Sequence, residues 1–186
     1  MLGSSRASLS EMSDWLDDRR GAEGLDSLAG DLFAVADLLD RERTLRSALA
    51  DSGQPADARA GLARSLLAGR VSGLAVETVE QAARHRWSHD DDLVLALEAL
   101  GAQAAFMAAD ARGDLDATEE EIFRFGRAVD ASADLQMALT DPALSSSRKA
   151  ALVGDLLEGR STEATRQVLG YAVGHLHGRR IDAVVD

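Results

Sequence analysis

Apolar residues recur every three or four positions along most of this chain, which is the spacing of one face of an α-helix. Stretches rich in glycine or proline at Gly21–Gly24, Asp51–Pro55 and Gly69 interrupt that spacing and predict where helices end. The first half of the chain therefore predicts five helices, with these apolar positions or spans: Met12, Trp15 and Leu16; Leu28, Leu32, Val35, Leu38 and Leu39; Leu45 to Leu49; Pro55 to Leu67; and Val76, Val79 and Ala83.

A longer helical pattern follows from about residue 90 to residue 111, and it is apolar along two stripes. An ordinary surface helix has one apolar stripe, because only one side faces the core. Two stripes predict a helix that completes one bundle and begins the next. The stripes are Leu93, Leu97, Leu100, Ala104 and Met107 on one side, and Leu95, Ala99, Ala102 and Phe106 on the other.

The sequence matches itself when it is shifted by 90 positions. Twelve of the 44 positions from 28 to 71 are identical to their shifted partners, without a gap. The pairs include Phe33 with Phe123, and Gly69-Arg70 with Gly159-Arg160. Each copy is longer than the ~20–50 residues of a solenoid repeat, so the pattern indicates two related domains.

The second copy repeats the helical plan of the first. We therefore expect an all-α fold of two related antiparallel helical bundles in series, which share or abut along the long helix near 90–111. The expected domains are residues 1–92 and residues 93–186, with the last helix of the second bundle cut short at Asp186.

Composition and charge narrow the classes of protein. The 186 residues carry a formal net charge of −12, which argues against a nucleic-acid binder. Cysteine is absent, so disulfides and thiolate metal sites are excluded. Only 4% of residues are aromatic, which argues against an all-β fold. We see no apolar run near the ~18 residues that span a bilayer and no signal segment, and expect a soluble, intracellular chain.

Few residues suggest chemistry. His89 with Asp90, Asp91 and Asp92 could hold a divalent ion, but acids at a helix start are also favoured by the helix dipole. The sequence has neither a Gly-x-Ser-x-Gly elbow nor a phosphate-binding loop. We therefore predict no catalytic residue, no metal and no cofactor. An enzyme with a pocket between the two bundles is one alternative function.

Apolar helix faces are more abundant than one bundle needs. Near residues 161–176 one stripe is Leu169, Val173 and Leu176, and another is Ala164, Val168, Tyr171 and His175. One stripe packs the bundle, and the other is either core as well or a groove for a partner helix. A helical adaptor or regulatory protein that homodimerises through such faces is therefore an alternative function.

Four short stretches of the second copy have an order and spacing, over about 90 residues, that is typical of a known family. They are Gly101 to Phe106, Glu121-Ile122-Phe123 with Val129-Asp130 and Leu135 to Leu139, Lys149 to Leu152 with Leu156-Leu157, and Gly178 to Ile181. With these stretches the second copy resembles the N-terminal helical domain of the delta subunit of rotary F-type ATP synthases, the family of the mitochondrial oligomycin-sensitivity-conferring protein. The first copy looks like the extra helical domain of longer bacterial delta subunits.

The resemblance implies a non-catalytic stator subunit of the peripheral stalk. It implies binding to the N-terminal helices of alpha subunits, and to a b-type stalk subunit through a C-terminal domain that is absent from this sequence. It also implies a peripheral place on the cytoplasmic face of the cell membrane, without insertion and without nucleic acid. Gly101 stands where the family has a tyrosine, so this chain has no aromatic ring at that position. The expected partner-helix contacts are Ala104, Ala105, Ala108, Val168, Tyr171 and Ala172.

Overall fold

A computed structural model describes Met1, residues 3–157 and residues 161–175, and within these ranges every regular element is an α-helix. The predicted all-α helical fold is confirmed, as is the long central helix, α6. The helices are α1 (Ser4–Asp17), α2 (Leu25–Arg41), α3 (Arg43–Ala50), α4 (Ala56–Leu67), α5 (Gly73–Arg84), α6 (Asp91–Arg112), α7 (Leu115–Asp130), α8 (Ala133–Thr140), α9 (Ser146–Leu157) and α10 (Glu163–Gly174).

The helix boundaries repeat along the chain as the sequence does. Each of α2, α3, α4 and α5 begins 90 positions before its counterpart α7, α8, α9 or α10. Of these four pairs, only α2 and α7 differ in length, by one residue. The sequence repeat is therefore also a repeat of secondary structure.

One polar contact occurs at the same register in both copies. A carboxylate oxygen of Asp31 on α2 accepts a hydrogen bond from the backbone N–H of Ser72 at 2.9 Å. The carboxylate of Glu121 on α7 accepts one from the N–H of Thr162 at 2.8 Å. Ser72 and Thr162 are the N-caps of α5 and α10, so each acid fixes the start of a core helix.

The chain divides into two compact units, Met1–Met107 and Ala108–Asp186. The division lies within α6, later than the boundary after residue 92 that the sequence suggested. The reason is that the beginning of α6 is held by the first unit. The side-chain amide of Gln103 donates to the backbone oxygen of Ser13 at 3.0 Å.

Each unit has its own apolar core. In the first unit α5 contacts α1, α2 and α4, and seven of its twelve residues are buried. In the second unit α10 contacts α7 and α9. The core of the second unit consists of Phe125, Val129, Leu139, Val153, Leu169 and Val173, with Ile122, Leu135, Leu152 and Leu157 packed against it.

The expectation that no segment resembles a membrane span needs correction. Helix α6 has 22 residues and a window of mean hydropathy 1.4, so it is long and apolar enough by length and composition alone. However, 67% of that window is buried inside the protein. One apolar stripe of α6 is buried, which is how a core helix satisfies the same test. On the other stripe Leu95, Ala102 and Phe106 are partly buried and Ala99 is exposed.

Some sequence-based expectations lie outside the described residues. These are the repeated pair Gly159-Arg160, the stretch Gly178 to Ile181, the end of one stripe at Leu176, and the shortened last helix.

Candidate helix-binding site

Helix α10 presents a partly buried apolar strip beside the core of the second unit. Leu169 and Val173 are 2% exposed and anchor the helix in the core. Val168, Tyr171 and Ala172 are only partly buried. Their i, i+3, i+4 spacing places them on one face of the helix. We call these three residues the α10 strip.

The ends of α10 are fixed by polar contacts. At the start, the hydroxyl of Thr162 accepts a hydrogen bond from the N–H of Thr165 at 3.2 Å. At the end, the hydroxyl of Ser146 on α9 donates to the backbone oxygen of Gly174 at 2.7 Å. These contacts satisfy backbone groups that a helix end leaves unpaired, so the strip is held on a defined helix.

The ring of Tyr171 is also restrained. It stacks on the imidazole of His175, with ring centroids 4.0 Å apart and an interplanar angle of 11°. A ring nitrogen of His175 lies 3.0 Å from the backbone oxygen of Tyr171. An aromatic side chain held in this way loses little conformational entropy when a partner packs against it.

The structure places the predicted α6 residues differently from the α10 strip. Ala104, Ala105 and Ala108 are 0%, 1% and 4% exposed, so their side chains are not part of the surface. The unit boundary also separates Ala104 and Ala105 from Ala108. Small residues suit close helix approach, but these three alanines are already covered within the protein. The candidate site is therefore reduced to Val168, Tyr171 and Ala172.

The acids after His89 are engaged by protein partners. The guanidinium of Arg46 lies 2.8 Å from a carboxylate oxygen of Asp91 and 3.3 Å from one of Asp90. The hydroxyl of Ser47 donates to Asp90 at 2.6 Å, and this bond, together with Arg46, lowers the pKa of that carboxyl. Across the ranges that the structure describes, no group of three or more histidine, aspartate or glutamate side chains could hold a metal ion.

The second unit also exposes large apolar side chains that the sequence reasoning did not single out. Phe123, Met137 and Leu156 are 62%, 65% and 49% exposed. A cavity of about 250 Å³ lies between α7, α8 and α9. Its lining is mainly apolar with one acid and one arginine, which provides no catalytic cluster. The lining residues are Glu121, Arg124, Phe125, Ala128, Leu135, Leu156 and Leu157.

These features define a class of protein. Its described polar groups serve as helix caps and ion pairs, and its second unit presents an apolar helix face beside the core, which is the kind of surface that a partner helix covers. Residues 101–186 match the family described as the ATP synthase delta (OSCP) subunit. The chain belongs to this family, because curated relatives match it over most of its length.

Three relatives illustrate the similarity, and each is an ATP synthase subunit delta. The one from Beutenbergia cavernae is 37% identical over 183 residues, which is 97% of this chain and 68% of the relative. The one from Streptomyces coelicolor is 40% identical over 185 residues, covering 98% and 68%. The one from Salinispora tropica is 40% identical over 178 residues, covering 94% and 65%. The chain thus spans about two thirds of the length of these relatives.

Membership of this family confirms three predictions. The resemblance to the delta subunit is real, the protein is a peripheral-stalk subunit of the F-type ATP synthase, and such a subunit is not an enzyme. The subunit is peripheral to the membrane sector of the complex. The particular partners and the residues that bind them are matters for proposal.

Proposed function

We propose that this chain binds the N-terminal helices of alpha subunits along the α10 strip and so holds the catalytic head of the ATP synthase still. The work is mechanical and takes place at the cytoplasmic face of the cell membrane. We also propose that the subunit is linked to a b-type stalk subunit, for which the family resemblance is the support.

The partly buried state of the α10 strip is the observation that supports this proposal most. Val168 and Ala172 directly flank core residues Leu169 and Val173 in sequence, so a helix bound there would extend the existing core. An amphipathic helix that lays its apolar face on such a strip is a common mode of recognition. Burial of apolar area then provides most of the binding free energy.

The test is titration calorimetry with a synthetic peptide of the first ~20 residues of an alpha subunit, a helix of about 30 Å if fully formed. We expect binding with a negative heat-capacity change, because apolar surface is removed from water. Val168→Asp should weaken binding by at least ~10-fold, the equivalent of about 1.4 kcal/mol.

A control variant separates the strip from apolar surface in general. Met137→Asp introduces the same charge at an apolar side chain that is 65% exposed on α8. It should leave peptide affinity unchanged. Equal weakening by both variants, or no heat from a cooperatively folded chain, would contradict the proposal.

The exposure of Phe123, Met137 and Leu156 favours a second candidate, the homodimerising adaptor. Sedimentation equilibrium distinguishes the two functions. The adaptor requires a dimer at micromolar concentration that Phe123→Glu dissociates, whereas the stalk subunit requires a chain that remains monomeric under the same conditions.

A further inference from the structure

The two copies differ at the helix that would receive the partner. Thr78 and Ala82 of α5 occupy the positions of Val168 and Ala172 of α10, and both are 0% exposed. Seven of twelve residues are buried in α5, but only four of twelve in α10. Two of the three positions that are partly open in the second copy are thus closed in the first, and the third, Gln81, is partly buried like its counterpart Tyr171.

Trp87 contributes to that closure. Its indole is 6% exposed, and its N–H donates to the backbone oxygen of Ala82 at 2.9 Å. The ring therefore lies at the end of the α5 face. Displacing this ring would expose a large apolar surface and break its hydrogen bond.

Helix α1 holds the segment that carries Trp87. The hydroxyl of Ser8 donates to the backbone oxygen of Arg86 at 2.9 Å. The hydroxyl of Ser5 accepts from the N–H of Ser88 at 2.7 Å and donates to Asp92 at 2.7 Å. Contacts on both sides of Trp87 thus fix it against the bundle.

A second difference lies between the last two helices of each copy. Arg64 of α4 forms two hydrogen bonds of 2.6 Å with the carboxylate of Glu80 on α5. Glycines stand at the corresponding positions, Gly154 and Gly170, and a methyl group added at either would meet nothing within 4 Å. An ion pair with two hydrogen bonds therefore links α4 to α5 in the first copy. The second copy cannot form the corresponding pair between α9 and α10, because glycine has no side chain.

We infer that the duplication has left one receptor for an alpha-subunit helix in this chain, on α10, and that the first copy is a closed bundle that adds length and rigidity. This inference rests on the proposed function. It predicts a stoichiometry of one peptide per chain, although two copies of the fold are present.

The experiment is calorimetry of the full chain with the same alpha-subunit peptide, read for the number of sites. Tyr171→Asp and Gln81→Asp form a matched pair, because the two residues occupy the same position in the two copies and both are partly buried. We expect one site in the unmodified chain. Tyr171→Asp should weaken binding by ~10-fold or more, and Gln81→Asp should change it by less than about twofold.

Nuclear magnetic resonance of the unmodified chain gives a readout that needs no variant. Peptide-induced amide shifts should fall on α10 and not on α5. Two sites per chain, or shifts of similar size on both helices, would overturn the inference while supporting the proposed function. Absence of any binding would instead overturn the proposed function.

Discussion

Phe33 and Phe123 occupy the same position in the two copies but have opposite environments. The ring of Phe33 is 7% exposed and that of Phe123 is 62% exposed. Phe33 packs against α6 at Gly101, where an added methyl carbon would lie 2.8 Å from the ring. The second copy presents the same residue at the same helix register largely to solvent.

The same contrast extends over whole helices. Eight of 17 residues are buried in α2, but three of 16 in α7. The hydrogen bonds at the starts of α5 and α10 are nevertheless present in both copies, with Asp31 and Glu121 as the acceptors. Local geometry is thus repeated, whereas burial depends on which further helices pack around each copy.

The largest expected effect tests this contrast directly. Phe33→Ala should lower the free energy of unfolding by about 3–5 kcal/mol, because it leaves a cavity in a packed core. Phe123→Ala should change it by less than about 0.5 kcal/mol, as at other surface positions. Both tryptophans, Trp15 and Trp87, lie in the first unit, so urea unfolding followed by their fluorescence reports the Phe33 variant. Circular dichroism reports both variants. Similar losses for the two variants would contradict the contrast.

Gly101→Ala should be the next most damaging change. The new methyl group would lie 2.8 Å and 2.9 Å from two ring carbons of Phe33, and overpacking of this kind costs about 1–3 kcal/mol. In the Phe33→Ala background the cost should disappear, because the colliding ring is gone. Gly30→Ala on α2 is the control, since a methyl group there meets nothing within 4 Å. An additive double variant would show that the two residues are not in contact.

The shared polar contact should contribute to stability in both copies. Asp31→Ala and Glu121→Ala should each cost about 1–2 kcal/mol, because each leaves the N–H of the N-cap residue of a core helix without its acceptor. Glu121 also accepts a hydrogen bond from the hydroxyl of Thr165 at 2.6 Å, so its loss should be the larger. Thermal unfolding of the two variants measures both effects. A loss in only one copy would limit the structural repeat to helix positions.

Gly154→Ala should stabilise the second copy by about 0.5–1 kcal/mol, because alanine restricts the unfolded chain and a methyl group has free space there. Gly61→Ala makes the corresponding test in α4, where the space is also free. The midpoint of thermal unfolding should rise for each. Gly154→Ala lies away from the α10 strip and should leave peptide affinity unchanged.

The smallest effect concerns acid stability in the first copy. The hydrogen bond from Ser47, assisted by Arg46, lowers the pKa of Asp90 in the folded chain. A carboxyl whose pKa is lowered by folding stabilises the folded state at pH values above its pKa in the unfolded chain. This stabilisation is lost as pH falls through its pKa in the folded chain. Asp90→Asn should therefore reduce the loss of stability that occurs as pH falls below about 4, the ordinary pKa of an aspartate. Asp18→Asn, at an exposed position, is the control. An unchanged acid profile for Asp90→Asn would exclude this role.

Much of the fold could be predicted because it depends on local physics. The helical spacing of apolar residues, the Pro55 and Gly69 boundaries and the shift of 90 positions each involve residues that are near in sequence or repeated in it. The candidate site stays a prediction, because accessibility depends on packing between distant residues. The structure places Val168, Tyr171 and Ala172 on a partly accessible face and buries Ala104, Ala105 and Ala108.

The helices, their duplication and the family could thus be inferred from the amino-acid sequence. Which apolar faces are covered could be seen only in the packed structure. Identical side chains at equivalent positions, Phe33 and Phe123, differ in exposure because burial belongs to a residue together with its neighbours. For Phe33 a neighbour is Gly101, 68 positions away along the chain. Helical periodicity shows which apolar residues share one face of a helix, but only the packing shows whether another helix already lies against that face.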